Sequence, residues 1–262
     1  MRKLIYQVAV GKQSKLYEHC IESASKYAER IGADHIVQRK PTLQIRPDIF
    51  ATERKGKTGG WEKIGYLPIF EKENAFDLFD DYDQIMILDS DIYIRPDSPD
   101  IFDEMNCKCA FGAVPEREMD LDSWYQDKIR NYSRMQYEWL HKKGIDFKPN
   151  NLGYEFFNMG MIVINVEYFK PFLKGQNARQ FLNRTEFKDF IDGVGPWKWS
   201  TDQTLLNYFI KKYKVPTKKL DNAWNGLFTA VNNIEHCNFV HFFLKDKLPN
   251  DGEDVQSLMR QI

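Results

Sequence analysis

Gln84-Ile85-Met86-Ile87-Leu88-Asp89-Ser90-Asp91 decides the fold. The run from Ile85 to Leu88 shows no polar alternation, the mark of a strand buried on both faces at the centre of an α/β sheet. It ends in two carboxylates one residue apart. In an open α/β sheet, ligands bind off the carboxyl ends of the strands. Side chains alternate along a strand, so Asp89 and Asp91 can face the same side as the chain leaves the sheet. Two hard oxygen donors held there suit Mg2+ or Mn2+ on a diphosphate. Taken alone, the same pattern also fits a turn or a solvated strand end.

Outward from this strand, the chain alternates strands and helices. Residues 4–10 read as a strand ended by Gly11, and Ser14 as the cap of a helix over 15–31 that Gly32 stops. His35-Ile36-Val37 begins another strand, which makes a βαβ opening. Residues 40–62 read as a loop ending in Gly59-Gly60-Trp61, and residues 64–79 as a helix. Strands are expected at 92–94, 110–114, 157–165 and 239–243, with helices over 116–143 and 202–213.

Composition bounds the function. A chain of 262 residues with 42% apolar and 29% charged residues can bury a full core. Its 37 Lys+Arg against 38 Asp+Glu leave a net charge of −1, so no nucleic-acid partner is expected from charge. No run approaches the ~18–20 apolar residues of a membrane span, and the N-terminus lacks a signal-peptide pattern. The four cysteines, Cys20, Cys107, Cys109 and Cys237, form no framework. Cys107 and Cys109 are too close to bridge comfortably, which fits a reducing, cytoplasmic setting. No second pair or flanking His completes a zinc set around them.

Six pieces in order then carry a resemblance. They are Tyr82 to Ile92 around the D-x-D; Lys72, Phe76 and Leu78 upstream of it; Phe157-Asn158-Met159-Gly160-Met161; Asp202-Gln203 followed by Leu205-Leu206-Asn207; Trp224-Asn225; and His241 with Lys247. Together they resemble the GT-A nucleotide-sugar glycosyltransferases, and within them glycosyltransferase family 8, the glycogenin and bacterial galactosyltransferase type. The resemblance implies an α/β GT-A fold, a Rossmann-like mixed central sheet with helices on both faces. It implies a single domain over 1–262: a nucleotide-binding half over about 1–115, an acceptor and catalytic half over about 116–250, and a tail over 244–262 that can move.

The resemblance also implies roles. Asp89 and Asp91 would hold Mn2+ or Mg2+ with His241 as third ligand. Val8, Ala9, Val10, Gly11, Lys72, Ser90, Asn158, Gly160 and Lys247 would contact the donor, a nucleoside-diphosphate sugar expected to be a UDP-sugar. Asp202 and Gln203 would face its anomeric carbon. The acceptor would be a carbohydrate or other hydroxyl, and transfer would proceed with retention. Trp197, Trp199, Trp224 and Asn225 are weaker acceptor candidates. Each has a plain alternative: Asp202 as a helix N-cap, His241 as a structural histidine, Lys72 as a solvated helix lysine, and the 193–199 stretch as surface packing.

Two other functions fit parts of the pattern. A haloacid-dehalogenase-type phosphatase also follows a hydrophobic strand with D-x-D, but places it on the first strand and needs a later acidic pair. A GT-A-like module could bind nucleotide or carbohydrate without transfer. The chain also departs from the family. Leu244 stands where glycine is usual, and a γ-branched side chain resists positive φ. The turn after His241 is therefore expected to take another path or to order only with donor.

Overall fold

The computed structural model describes residues 1–11, 14–54 and 61–262; Gly59 and Gly60 lie outside them. The elements that position the site are β1 (Lys3–Val8), α1 (Lys15–Ile31), β2 (Asp34–Gln38), β3 (Gln84–Leu88), β4 (Ile92–Ile94), β5 (Phe111–Pro115), α2 (Ser123–Lys142), β6 (Phe157–Asn165), α3 (Asp202–Tyr213), β7 (Thr217–Lys219), β8 (Gly226–Leu227) and β9 (Phe239–His241). Ser14 and Gly32 cap α1 as expected, the serine accepting from Tyr17 N and the glycine turning left-handed.

The central sheet has six strands in the order β2-β1-β3-β6-β5-β7. β6 runs antiparallel to both of its neighbours, while the β1–β2, β1–β3 and β5–β7 pairs are parallel. Every residue of β3 and β6 is buried, as their continuous apolar sequences require for a sheet covered by helices on both faces. A small second sheet, β8-β9-β4, pairs His241 with Ile92, one residue past Asp91. Among the described residues, no helix is long and apolar enough to cross a membrane.

The structure departs from expectation in several places. The 64–79 stretch is a 3-10 segment, Pro68–Leu78, rather than an α-helix, and it buries Phe70, Glu71, Lys72, Glu73, Ala75 and Phe76. A segment buried nearly all round has no exposed face to give it a 3.6-residue period. β7 is three polar residues at the sheet edge, with no apolar alternation to announce it. Cys107 and Cys109 are joined as a disulfide, their Cα atoms 5.3 Å apart. The loop that bends them together is clamped by Asn165 Nδ2, which donates to the carbonyls of Met105, Cys107 and Cys109. In this structure the end of the chain packs Leu248 and Leu258 against Leu16, Cys20, Val240 and Phe242.

Three consecutive charges of the 3-10 segment are buried, and each meets a different fate. Glu71 accepts from the backbone amides of Thr42, Leu43 and Gln44 at 2.7, 3.0 and 2.6 Å, which fixes the loop after β2. Lys72 Nζ lies 2.8 Å from Asp89 Oδ1, 2.8 Å from Asp202 Oδ2 and 3.0 Å from the Met159 carbonyl. Burial opposes its charge, but Asp202 and Asp89 outweigh burial and hold its pKa above the ordinary lysine value. Glu73 has no hydrogen-bond partner on either oxygen. Burial, reinforced by Asp202, pushes its pKa well above the ordinary value.

Two outcomes follow. A carboxyl with a raised folded-state pKa stabilises the fold below its unfolded value and loses that contribution as pH climbs toward the folded value. Glu73→Gln should therefore melt with the parent below the ordinary glutamate value of 4.5 and at progressively higher temperature than the parent above it. A constant offset in melting temperature across pH would contradict this. Lys72→Met leaves the buried Asp202 without a counter-charge and the half-buried Asp89 with His241 alone, a loss of about 3–5 kcal/mol in urea unfolding. Adding Asp202→Asn should recover part of it.

Candidate functional site

The Asp89-Ser90-Asp91 turn is fixed from several sides by backbone contacts. Asp89 N donates to the Gly160 carbonyl of β6 at 2.7 Å, and Ile92 N to the Asp89 carbonyl at 3.2 Å. Phe242 N, just after β9, donates to the Asp91 carbonyl at 2.9 Å. The Ser90 hydroxyl donates to the Val8 carbonyl at 2.8 Å, and buried Gln7 reaches the Asp89 carbonyl at 3.3 Å. The backbone of the turn is thus held by β1, β6 and the chain leaving β9.

β9 delivers His241 to this turn. Its Nε2 is 3.3 Å from Asp91 Oδ1 and 4.0 Å from Asp89 Oδ2. Asp89, Asp91 and His241 each offer one ligand atom, all within 4.8 Å of one another. Burial raises the pKa of Asp89, Lys72 opposes that, and Asp91 adds to it. Burial would lower the pKa of His241, but Asp91 and Asp89 draw it up instead. The pocket therefore favours positive charge at its centre. Two carboxylates and one imidazole nitrogen form a donor set that fits a divalent cation.

Two cavities meet at Ile69, Lys72 and Asp89. One, of about 320 Å3, is walled by Val8, Val10, Tyr17 and Pro68 and floored by Ser90 and Asp91. The other, also of about 320 Å3, runs past Glu116, Tyr132, Asn158, Gly160, Trp199, Asp202, Gln203 and His241. A wider groove of about 920 Å3 lies at the opposite edge of the sheet, around Gln84 and Asn165, away from the acidic turn.

Among the residues marked from sequence, Val8, Val10, Lys72, Asn158, Gly160, Asp202, Gln203 and Trp199 line these cavities. Ala9 is buried, its amide bonded to the Gln38 carbonyl, and Gly11 turns the chain at φ +89°. Asp202 does not cap α3: Thr201 does, accepting from Gln203 N at 3.2 Å, and Asp202 is free to pair with Lys72. Lys72 is correspondingly no solvated lysine. Gln203 Oε1 accepts from Met159 N at 3.2 Å.

Three acceptor candidates turn inward instead. Trp197 is buried edge-on against Phe190 and donates to the Gln136 carbonyl. Trp224 is buried against Phe239, and Asn225 is fully buried against His241. Lys247 sits over the Trp124 ring, 3.2 Å from its centroid, rather than on the acidic turn. Leu244 does take the left-handed conformation, at φ +56° and ψ +63°. Its side chain packs on the main core and its carbonyl accepts from Lys247 N at 2.8 Å, which offsets a cost of about 1–2 kcal/mol.

Sequence reasoning singled out neither Glu116 nor Tyr17. Glu116 follows β5 directly, at a strand's carboxyl end, and that position was its only signal. Tyr17 lies in the first turn of α1, facing the loop after β1.

Comparison with known proteins agrees with this geometry. The sequence profile described as glycosyl transferase family 8 matches residues 18–247. No curated protein matches the chain by sequence. The fold resembles a glycosyltransferase involved in glycosylation of the major capsid of PBCV-1, at 12% identity and a TM-score of 0.54, over 99% of this chain and 100% of that one. It also resembles mouse xyloside xylosyltransferase 1, at 12% identity and a TM-score of 0.52, over 95% of this chain and 100% of that one. These similarities leave no place for the phosphatase reading. With the acidic turn, the histidine strand and the mixed sheet all in position, the chain belongs to glycosyl transferase family 8 and is a glycosyltransferase of the GT-A fold.

Proposed function

We propose that the protein moves a sugar from a nucleoside-diphosphate donor, a UDP-sugar by family expectation, to a carbohydrate hydroxyl, with retention and with a divalent cation. The observation that carries the reading is the convergence of Asp89, Asp91 and His241 Nε2 where two cavities meet. The Val8–Val10–Tyr17 cavity offers an apolar, aromatic wall of a size for a nucleoside. The Asp202–Gln203 cavity offers polar groups and an exposed indole, Trp199, suited to sugar rings.

Asp89, Asp91 and His241 would hold Mn2+ or Mg2+. When bound, the cation offsets the charge that gathers on the departing diphosphate. Lys72 pairs with both Asp89 and Asp202 at 2.8 Å and fixes their directions. Asp202 and Gln203, at the start of α3, would face the anomeric carbon and stabilise the cationic character it develops. Gln203 is aimed by the Met159 amide, so its orientation does not have to be set during the reaction. Retention places the acceptor on the face the diphosphate leaves, where a phosphate oxygen can take its proton. Lys247 would reach the diphosphate only by leaving Trp124.

The reading is tested by assaying nucleotide-sugar turnover with Mn2+ across donors. Asp91→Ala should stay folded and lose turnover together with Mn2+-dependent nucleotide binding. Full activity of that variant in excess chelator would remove the acidic turn from the reaction. Asp202→Asn should lower turnover by orders of magnitude, whereas Thr201→Ala should cost about 1 kcal/mol of stability with a far smaller effect on turnover. The reverse pattern would assign Asp202 a purely structural part.

A further inference from the structure

Behind His241 runs a chain of buried amide side chains. His241 Nδ1 is 3.0 Å from Asn225 Oδ1. Asn225 Nδ2 donates to Asn158 Oδ1 at 2.8 Å, and Asn158 Nδ2 donates to Glu116 Oε2 at 2.8 Å. The other Glu116 oxygen accepts from the Tyr125 hydroxyl. At one branch, Gly160 N donates to Asn158 Oδ1 at 2.8 Å. Asn225 is fully buried and Asn158 and Glu116 nearly so.

The direction of every bond in this chain follows from one group that has no choice. A backbone N–H can only donate, so the atom of Asn158 facing Gly160 must be its oxygen. The Asn158 amide nitrogen is then left for Glu116, whose carboxylate can only accept. Asn225 meets an oxygen at Asn158 and must present its nitrogen there. Its own oxygen is left facing the imidazole, which must answer with Nδ1–H. Turning either amide over would set oxygen against oxygen or N–H against N–H among nearly buried groups, at a cost of about 1–3 kcal/mol for each buried group left unpaired.

We propose that Asn225 and Asn158 are positioning residues that, polarised by the Gly160 amide and Glu116, hold His241 as the Nδ1–H tautomer so that its Nε2 lone pair faces Asp89 and Asp91. This rests on the reading of that triad as a cation site, and it replaces the acceptor role considered for Asn225. It also gives Gly160 a second duty. A Cβ there would lie 2.4 Å from His241 Cε1 and 2.7 Å from Nδ1, so only glycine lets the ring lie against β6 with its bond to Asn225 intact. The W-N pair of the sequence is thus read as a core tryptophan followed by a histidine-orienting amide.

Two measurements test the proposal. The first needs no variant: nitrogen-15 spectra of the imidazole in metal-free protein, at a pH where the ring is neutral, should show His241 as the Nδ1–H tautomer. An Nε2–H tautomer would overturn the relay whatever the protein binds. The second is Mn2+ binding followed by electron paramagnetic resonance. Asn225→Leu should bind Mn2+ about 10–100-fold more weakly than the parent, as loss of a partner behind a metal-ligating histidine does. Asn225→Asp, which keeps an acceptor, should bind at least as tightly as the parent. Equal affinity of the leucine variant and the parent would overturn the proposal. A parent with the expected tautomer but no Mn2+ binding would instead sink the cation-site reading and leave the relay standing.

Discussion

Asp89 has one oxygen on Lys72 and the other facing His241, and both contacts answer the same problem. Asp89, Asp91 and Asp202 are gathered at the carboxyl ends of the strands, with Glu73 close behind. Burial raises the pKa of Asp89 and of Glu73, and neighbouring carboxylates add to it. Among the described residues, Lys72 on the 3-10 segment and His241 on β9 face these carboxylates directly. That leaves a surplus of negative charge on the side where two cavities meet. A divalent cation with a diphosphate beside it would, on the function proposed above, complete such a site.

The segments around the acidic turn are explained by the same need. The 3-10 stretch from Pro68 to Leu78 exists to carry buried charges, not an amphipathic face: Glu71 pins the loop after β2, and Lys72 pins β3 to α3. The second sheet is small because its task is local. β9 pairs with β4 in the one register that sets His241 beside the residue following Asp91. β6 supplies the Gly160 carbonyl that holds Asp89 and the Gly160 amide that orients Asn158. A single glycine therefore connects the acidic turn to the histidine behind it.

Much of this was legible in the chain. The apolar run before Asp89, the capped first helix and the order of the short motifs located the sheet, the acidic turn and His241. What escaped reading had no local signature. Asp202 and Thr201 both qualify as helix caps by type, and only the position of Lys72 decides between them. Trp197 and Trp199 are two residues apart, yet one packs on Phe190 and the other faces the cavity, because the short helical turn Gly195–Trp197 ends at the first of them. Leu244 adopts a conformation its side chain disfavours, since packing and the Lys247 amide outweigh a modest backbone cost. Asn225 could not be given its role until His241 and Asn158 were seen on either side of it.

The central claim is that the surplus charge at the acidic turn is completed by one divalent cation shared with a nucleoside diphosphate. It is tested most directly by crystallising the protein with Mn2+ and UDP and measuring anomalous scattering from manganese. The account predicts one strong peak enclosed by Asp89, Asp91 and His241 Nε2, with the diphosphate on its open side and the nucleoside against Val8, Val10 and Tyr17. A nucleotide seated there with no manganese at the triad, or a manganese peak bound elsewhere, would contradict it.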